Sequence, residues 1–197
     1  MLPLYEAAML KELAAIVAAI PHRELAIQWD VATEMSWWER VYPAPFDAVE
    51  DGIIAALARL GQAVPEPVEL AYHLCYGSMN NRHWKEPADL ANLVAVANRI
   101  VAAVSRPIAW FHMPVPQDRA DDGYFVPLDE LRIAADTTLF LGLVHLDDGL
   151  SGALRRIAAA RPHRARFGIA TECGLGRRDP ATIPDWLALH AEIAAAA

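Results

Sequence analysis

The sequence predicts an α/β fold built on a parallel β-sheet. Two observations predict it: apolar segments of strand type and helix type alternate along the chain, and the strand-type segments are almost continuously apolar, as in strands that helices cover. The chain has 197 residues, of which 55% are hydrophobic, and this length favours one well-packed domain over residues 1–197.

The elements follow one another in a regular order. The predicted strands are residues 24–30, 68–76, 108–113, 138–145 and 166–171, and the predicted helices are residues 4–20, 46–60, 87–104, 150–160 and 181–195. Pro21 ends the first helix, Gly61 closes the second, and Pro87 suits the first turn of the third. Long loops are expected at residues 31–45, 77–86 and 114–127, where they would build a pocket.

Composition excludes several classes of function. The formal net charge is −8, so nucleic acid and anionic membrane surfaces are poor partners. No uncharged apolar run is long enough for a membrane span, and the first residues lack the basic start of a signal peptide. Two cysteines do not make a disulfide framework, so we expect a reduced, cytoplasmic protein that acts on a small molecule.

Polar residues with reactive side chains follow the predicted strands. They are Asp30, His73 with Cys75, His112, His145, and Glu172 with Cys173. Because the carboxyl ends of parallel strands meet at one edge, the active site of such a fold is expected there.

The segment His73-Leu74-Cys75 predicts a metal site. In a strand, residues two apart point to the same face, so the imidazole and the thiol would project together, and Cys173 could approach from another strand. Two thiolates and an imidazole suit zinc. The alternative is that both cysteines are small core residues and His73 is a hydrogen-bonded interior histidine.

Two further residues have open interpretations. His145 could transfer protons near neutral pH, or it could simply bond a loop carboxylate. Asp30 could bind a cationic group or act as a base, or it could cap the following turn. Neither a glycine-rich phosphate loop nor a Gly-x-Ser-x-Gly nucleophile elbow is present in the sequence.

Four segments together resemble a known family. They are Gln28-Trp29-Asp30, His73-Leu74-Cys75-Tyr76, His145, and Glu172-Cys173-Gly174-Leu175. In this order they are similar to the C-terminal catalytic barrel of cobalamin-independent methionine synthase and, more broadly, to the superfamily that includes uroporphyrinogen decarboxylase. The resemblance implies a TIM-type (β/α) barrel with zinc at its C-terminal mouth. With about five βα units, the chain would be an incomplete barrel that lacks the first three.

The resemblance also implies roles for individual residues. His73, Cys75 and Cys173 match zinc ligands, Asp30 matches a carboxylate that holds the amine of the substrate, and His145 matches a proton donor. Trp29 and Glu172, beside matched positions, are predicted to bind substrate.

The sequence departs from the family at two places. Phe111-His112-Met113 stands where the family has a glutamate ligand, so His112 is expected either to be a fourth ligand or to mark the loss of the metal. Asp30-Val31-Ala32 stands where the family has Asp-Glu-Pro, so the substrate pocket is expected to differ.

Three functions follow from these patterns. The first is a zinc-dependent methyl or alkyl transferase that acts on a thiol. The second is a hydrolase, lyase or cyclase of a small carbonyl substrate that works without zinc, through the acid, base and binding groups Asp30, His112, Asp118, His145 and Glu172. The third is a non-catalytic partial barrel that completes another subunit. Because a five-stranded barrel would expose edge strands, the sequence also predicts either self-association into a homo-oligomer or a sheet that remains open and is capped by the long aromatic loops.

Overall fold

A computed structural model of the protein describes residues 2–77 and 82–197. In these residues five strands form one sheet: β1 Ala26–Asp30, β2 Glu69–His73, β3 Trp110–Pro114, β4 Thr138–Val144 and β5 Gly168–Thr171. The strand order is β1-β2-β3-β4-β5, and every pair is parallel. Each new strand adds on the same side, as in a TIM-like barrel, but hydrogen bonds do not close the sheet. The predicted fold class, an incomplete parallel barrel, is confirmed.

The helices of the described residues are α1 Leu2–Ala19, α2 Ala32–Trp38, α3 Val49–Ala63, α4 Ala91–Ala103, α5 Asp122–Phe125, α6 Gly149–Ala160 and α7 Ile183–Ala196. Short 3-10 turns cover His22–Glu24, Val126–Glu130, Leu175–Arg177 and Pro180–Thr182. Among the described helices there is no segment with the length and apolar character that crossing a lipid bilayer requires.

Three sequence predictions about local structure are wrong. Residues 31–45 are not one loop, because residues 32–38 form α2 and bury Met35 and Ser36. Gly61 does not end the second helix: it is buried within α3, where a Cβ would lie 2.1 Å from the hydroxyl of Tyr72, so close packing requires a small residue. The third helix begins at Ala91 and not at Pro87.

The second strand is shorter than its apolar run. It ends at His73, although residues 74–76 stay buried and the amide of Leu74 still donates to the carbonyl of His112, at 2.9 Å. Cys75 therefore lies beyond the strand. Residues 78–81, in the predicted loop 77–86, lie outside the described residues.

One face of the sheet packs against the helices and forms the core. Tyr72 and Phe111 are fully buried, their rings stack with centroids 5.7 Å apart, and the hydroxyl of Tyr72 donates to the carbonyl of Leu57 in α3. The alternate residues face the other way. We call this the inner face; it carries Gln28, Asp30, His73, Trp110, His112 and Phe140.

Candidate metal centre and cleft

Three metal-binding side chains converge at the carboxyl end of the sheet. The ligand atoms of His73, Cys75 and Cys173 all lie within 4.8 Å of one another. The Sγ of Cys173 is 3.7 Å from the Nε2 of His73. Both cysteines are thiols and not a disulfide. The predicted convergence of these three residues is therefore present.

The strand register explains why His73 stands at this edge. Asp30 on β1, His73 on β2 and His112 on β3 are paired neighbours, so three polar side chains lie side by side at one level. The imidazoles of His73 and His112 stack with their centroids 4.4 Å apart. Cys75 joins them from the buried segment that follows β2.

The end of β5 places Cys173. The hydroxyl of Thr171, the last residue of β5, donates to the carbonyl of Cys173 at 2.7 Å and so fixes the turn. The β4–β5 pairing shifts register between Leu141 and Val144, where the sheet is irregular. Gly142 allows the strands to approach here, because a Cβ would lie 2.7 Å from the Cα of Glu172 and 2.9 Å from the Nε2 of His112.

The donor set fits zinc. For bonds of about 2.3 Å to sulfur and about 2.0–2.1 Å to nitrogen, tetrahedral geometry sets the S···N separation at about 3.6 Å. The observed 3.7 Å between Cys173 Sγ and His73 Nε2 matches this edge. The Nδ1 of His73 is buried without a hydrogen-bond partner among the described residues, so Nε2 is the ring nitrogen that meets the cluster.

Neighbouring groups in the cluster make the thiol of Cys75 harder to ionise. The hydrogen bond with Cys173, followed by burial, raises the pKa of the Cys75 thiol far above its usual range. Asp30 adds to this shift, so its charge lies within reach of the thiol. A bound cation would reverse these effects by favouring the thiolates.

His112 lies outside the group of three ligands. Its Nε2 is buried beside Gly142, and the backbone of Thr171 interacts with the ring. Burial, and then the neighbouring His73, lowers the pKa of His112 to about 3, so that it is a neutral ring at neutral pH. In this arrangement His112 supports the ring of His73 by stacking, and its role as a fourth ligand stays a prediction.

Trp29 and Asp30, the two residues of β1 that are predicted to bind substrate, point to opposite faces of the sheet because they are adjacent in the strand. Asp30 is exposed on the inner face and accepts a hydrogen bond from the Nε2 of Gln28, at 3.3 Å. Trp29 points into the hydrophobic core on the opposite face, where its indole Nε1 is buried without a partner among the described residues. This placement separates Trp29 from the ligand group.

A cleft of about 1100 Å³ opens beside the cluster. It borders Cys173, Glu172 and His145, together with loop residues that follow β2, β3, β4 and β5. Of the three ligands Cys173 lines the cleft, so a small molecule in the cleft could approach the sulfur of Cys173.

Glu172 is an acid–base group inside the cleft. Burial raises the pKa of its carboxyl group to about 7. The Nε2 of His83 lies 3.4 Å from one oxygen of Glu172, and the other ring nitrogen of His83 is 3.0 Å from the carboxylate of Glu86. Sequence analysis placed His83 in a loop without a role; only the burial of its ring against Glu172 distinguishes it.

His145 follows β4 directly and lies on the wall of the cleft. Its Nε2 is 2.8 Å from the carbonyl of Val115, which can only accept, so Nε2 carries the hydrogen and Nδ1 is the basic nitrogen. Burial lowers the pKa of His145, and the ring is neutral at neutral pH. Such a ring accepts a proton before it can donate one.

Comparisons with known proteins support the fold. No protein-family profile matches the sequence, and no curated protein matches it. The crystal structure of a candidate vitamin-B12-independent methionine synthase from Listeria monocytogenes is similar, with a TM-score of 0.57 and 17% sequence identity over 96% of this chain. The aligned region is 52% of that protein, so the chain spans about half its length. The architecture of this chain is thus similar to that of a methionine-synthase-like structure.

Proposed function

We propose that this chain is a zinc-dependent enzyme that transfers a methyl or other alkyl group to the sulfur of a small thiol, in the manner of a cobalamin-independent methionine synthase. The observation that carries the proposal is the convergence of His73, Cys75 and Cys173 beside a cleft. The similarity of fold to a candidate methionine synthase supports it.

The three ligands have the composition of a catalytic zinc site, in which a fourth position is open to substrate. His73, Cys75 and Cys173 would hold the zinc, and a bound zinc would keep a substrate thiol deprotonated at neutral pH, so that the sulfur would be nucleophilic without a strong base. The stacked ring of His112 orients His73, and the hydrogen bond from Thr171 orients Cys173, so the chain itself arranges the donor atoms.

Other residues of the chain transfer protons and bind polar groups of the substrate. Neutral His145 accepts a proton from solvent at Nδ1 and delivers it to the leaving group of the alkyl donor, whereas the proton that the thiol loses passes to the solvent. Asp30, exposed at the end of β1, binds a cationic group such as an amine. Glu172 offers a polar contact inside the cleft.

A second candidate is an acid–base enzyme that acts on a small carbonyl compound as a hydrolase, lyase or cyclase. The carboxyl group of Glu172, whose pKa burial raises to about 7, and its contact with His83 favour this candidate. In this case the three ligands would have a structural role, and the reaction would survive removal of zinc.

The test measures zinc content and thiol binding together. The wild-type chain should hold about one zinc, and addition of homocysteine in weak buffer should release about one proton per zinc, because the bound thiol ionises. Cys75→Ser and Cys173→Ser should lose both signals. His22→Asn, which changes a histidine before β1 and away from the cluster, is the matched control and should keep both.

The outcomes separate the two candidates. Proton release in the Cys75→Ser variant, or zinc binding without any proton release, contradicts the thiol-transfer proposal. Turnover of a carbonyl substrate by the chelated protein, lost in Glu172→Gln, would support the acid–base candidate instead.

A further inference from the structure

The segment that follows Cys173 brings an arginine to the wall of the cleft. Arg178 is half-buried, and its backbone amide donates to the carbonyl of Leu175 at 2.9 Å, which closes a 3-10 turn. Its guanidinium lies over the indole ring of Trp186 in α7, 5.0 Å from the ring centroid. The aromatic face therefore holds the cation in place.

Arg178 differs from the other half-buried or buried arginines near the cleft. Arg119 is paired with Asp121 at 2.8 Å, and Arg156 with Asp148 at 2.7 Å. Within residues 2–77 and 82–197, Arg178 forms no ion pair with a carboxylate. The carboxylate next to it in sequence, that of Asp179, accepts a hydrogen bond from the amide of Ala181.

The field of Arg178 reaches the candidate reacting groups. Burial is the main cause that lowers the pKa of His145, and the charge of Arg178 lowers it further. Burial raises the pKa of Glu172, and the same charge opposes that rise. Arg178 thus shares the cleft with His145, Glu172 and Cys173, and an anion bound to it would lie near them.

The segment also has room for a ligand. A Cβ placed on Gly174 or on Gly176 would meet no atom within 4 Å, so this stretch of chain borders open space. The volume of the cleft, about 1100 Å³, is in the range that takes a small organic molecule.

We propose that Arg178, positioned on the face of Trp186, is the anion-binding residue of the cleft and binds a carboxylate or phosphate group of the small-molecule substrate. A guanidinium offers two parallel N–H donors that match the two oxygens of either group. The inference rests on the proposed function only for the statement that the bound molecule is the substrate. The anion site itself requires no zinc.

The experiment follows the arginine Nε–Hε resonances of the chelated protein by NMR while glutarate or inorganic phosphate is added at constant ionic strength. One resonance should shift with saturation in the wild type and be absent from the Arg178→Gln spectrum, and the variant should bind at least about tenfold more weakly. Arg178→Lys should recover part of the affinity, since it keeps the charge but loses the paired donors. Arg23→Gln, which changes an exposed arginine outside the cleft, is the control and should bind normally.

The two probes distinguish a carboxylate from a phosphate ligand by their relative affinities. Unchanged affinity of Arg178→Gln and Arg178→Lys for both probes, or a lack of saturable binding in the wild type, overturns the inference. Binding that depends on Arg178 in a protein without zinc-dependent proton release overturns the proposed function alone. A transferase whose KM is the same in wild type and Arg178→Gln would keep the function and reject the statement that Arg178 binds the substrate.

Discussion

The two faces of the sheet follow different physical rules. On the helix-covered face, Phe111, Leu139 and Leu141 are at most 1% exposed and fill the core. On the inner face, one register level carries Asp30, His73 and His112 side by side. The same strands supply both sets of residues at alternate positions.

The difference shows that hydrophobic burial determines which residues occupy the covered face, whereas polar and metal-binding chemistry determines those of the inner face. Apolar side chains on the covered face are exchangeable in kind as long as volume is kept. On the inner face the Nδ1 of His73 has no hydrogen-bond partner within the described residues, and such a buried polar atom lowers stability.

Truncating the covered face should have the largest effect. Phe111→Ala removes a fully buried ring and should lower the free energy of unfolding by about 3–5 kcal/mol. Phe140→Ala, the matched change on the inner face, should cost about 1 kcal/mol, because that ring is only half-buried, with an edge contact to Trp110 and packing over Gly168. Urea unfolding measures both, and equal losses would contradict the distinction between the faces.

Filling the narrowest point of the inner face should have the next largest effect. Gly142→Ala puts a methyl group 2.7–2.9 Å from the backbone of β5 and the ring of His112. Overpacking of this kind costs about 1–3 kcal/mol, and here it should also weaken zinc binding by moving Cys173. Gly176→Ala, where the added Cβ meets open space, is the control for both measurements. Equal stability and equal zinc affinity in the two variants would contradict the close approach of the strands at Gly142.

Replacing His163, a histidine outside the inner face, should have the smallest effect on the free energy of unfolding. The change measures how much its polar contacts contribute to stability. The hydrogen bond that His163 donates to the carboxylate of Asp122, followed by the one that it donates to Asp129, raises the pKa of His163. Below its ordinary pKa of about 6.5 the paired imidazolium contributes fully to stability, and the contribution is lost as the pH rises through the higher pKa of the folded state.

His163→Asn should therefore destabilise the protein by about 0.5–1 kcal/mol at pH 5.5 and by much less at pH 9. Urea unfolding at the two pH values measures this change, with His22→Asn as the control. A loss that grows with pH would contradict the ion-pair account of His163.

Much of the scaffold could be predicted from hydropathy. All five strands were expected, because buried parallel strands are continuously apolar. Their ends were less certain: residues 74–76 are as apolar as the strand before them, yet β2 ends at His73. The helix α2 was missed because its run of 7 residues, which ends in Trp37 and Trp38, has no clear helical period.

The part of the candidate site that lies at the ends of strands could be predicted from the sequence. His73 ends β2 and Cys173 follows the end of β5 at the same edge of the sheet, and the resemblance to a known family predicted both residues as ligands. The contacts of His83 with Glu172 and of Arg178 with Trp186 were not predictable, since each depends on how loops from different strands fold over the same edge. Trp29 illustrates the reverse error: its neighbour Asp30 faces the site, but strand alternation turns Trp29 into the core.

The most direct test of the account is X-ray absorption at the zinc edge on the zinc-loaded, full chain. The central claim predicts two sulfur neighbours at about 2.3 Å and at least one nitrogen neighbour at about 2.0–2.1 Å, and Cys173→Ser treated in the same way should hold no zinc with these neighbours. A zinc spectrum with only oxygen and nitrogen neighbours, or an unchanged spectrum in that variant, would contradict it.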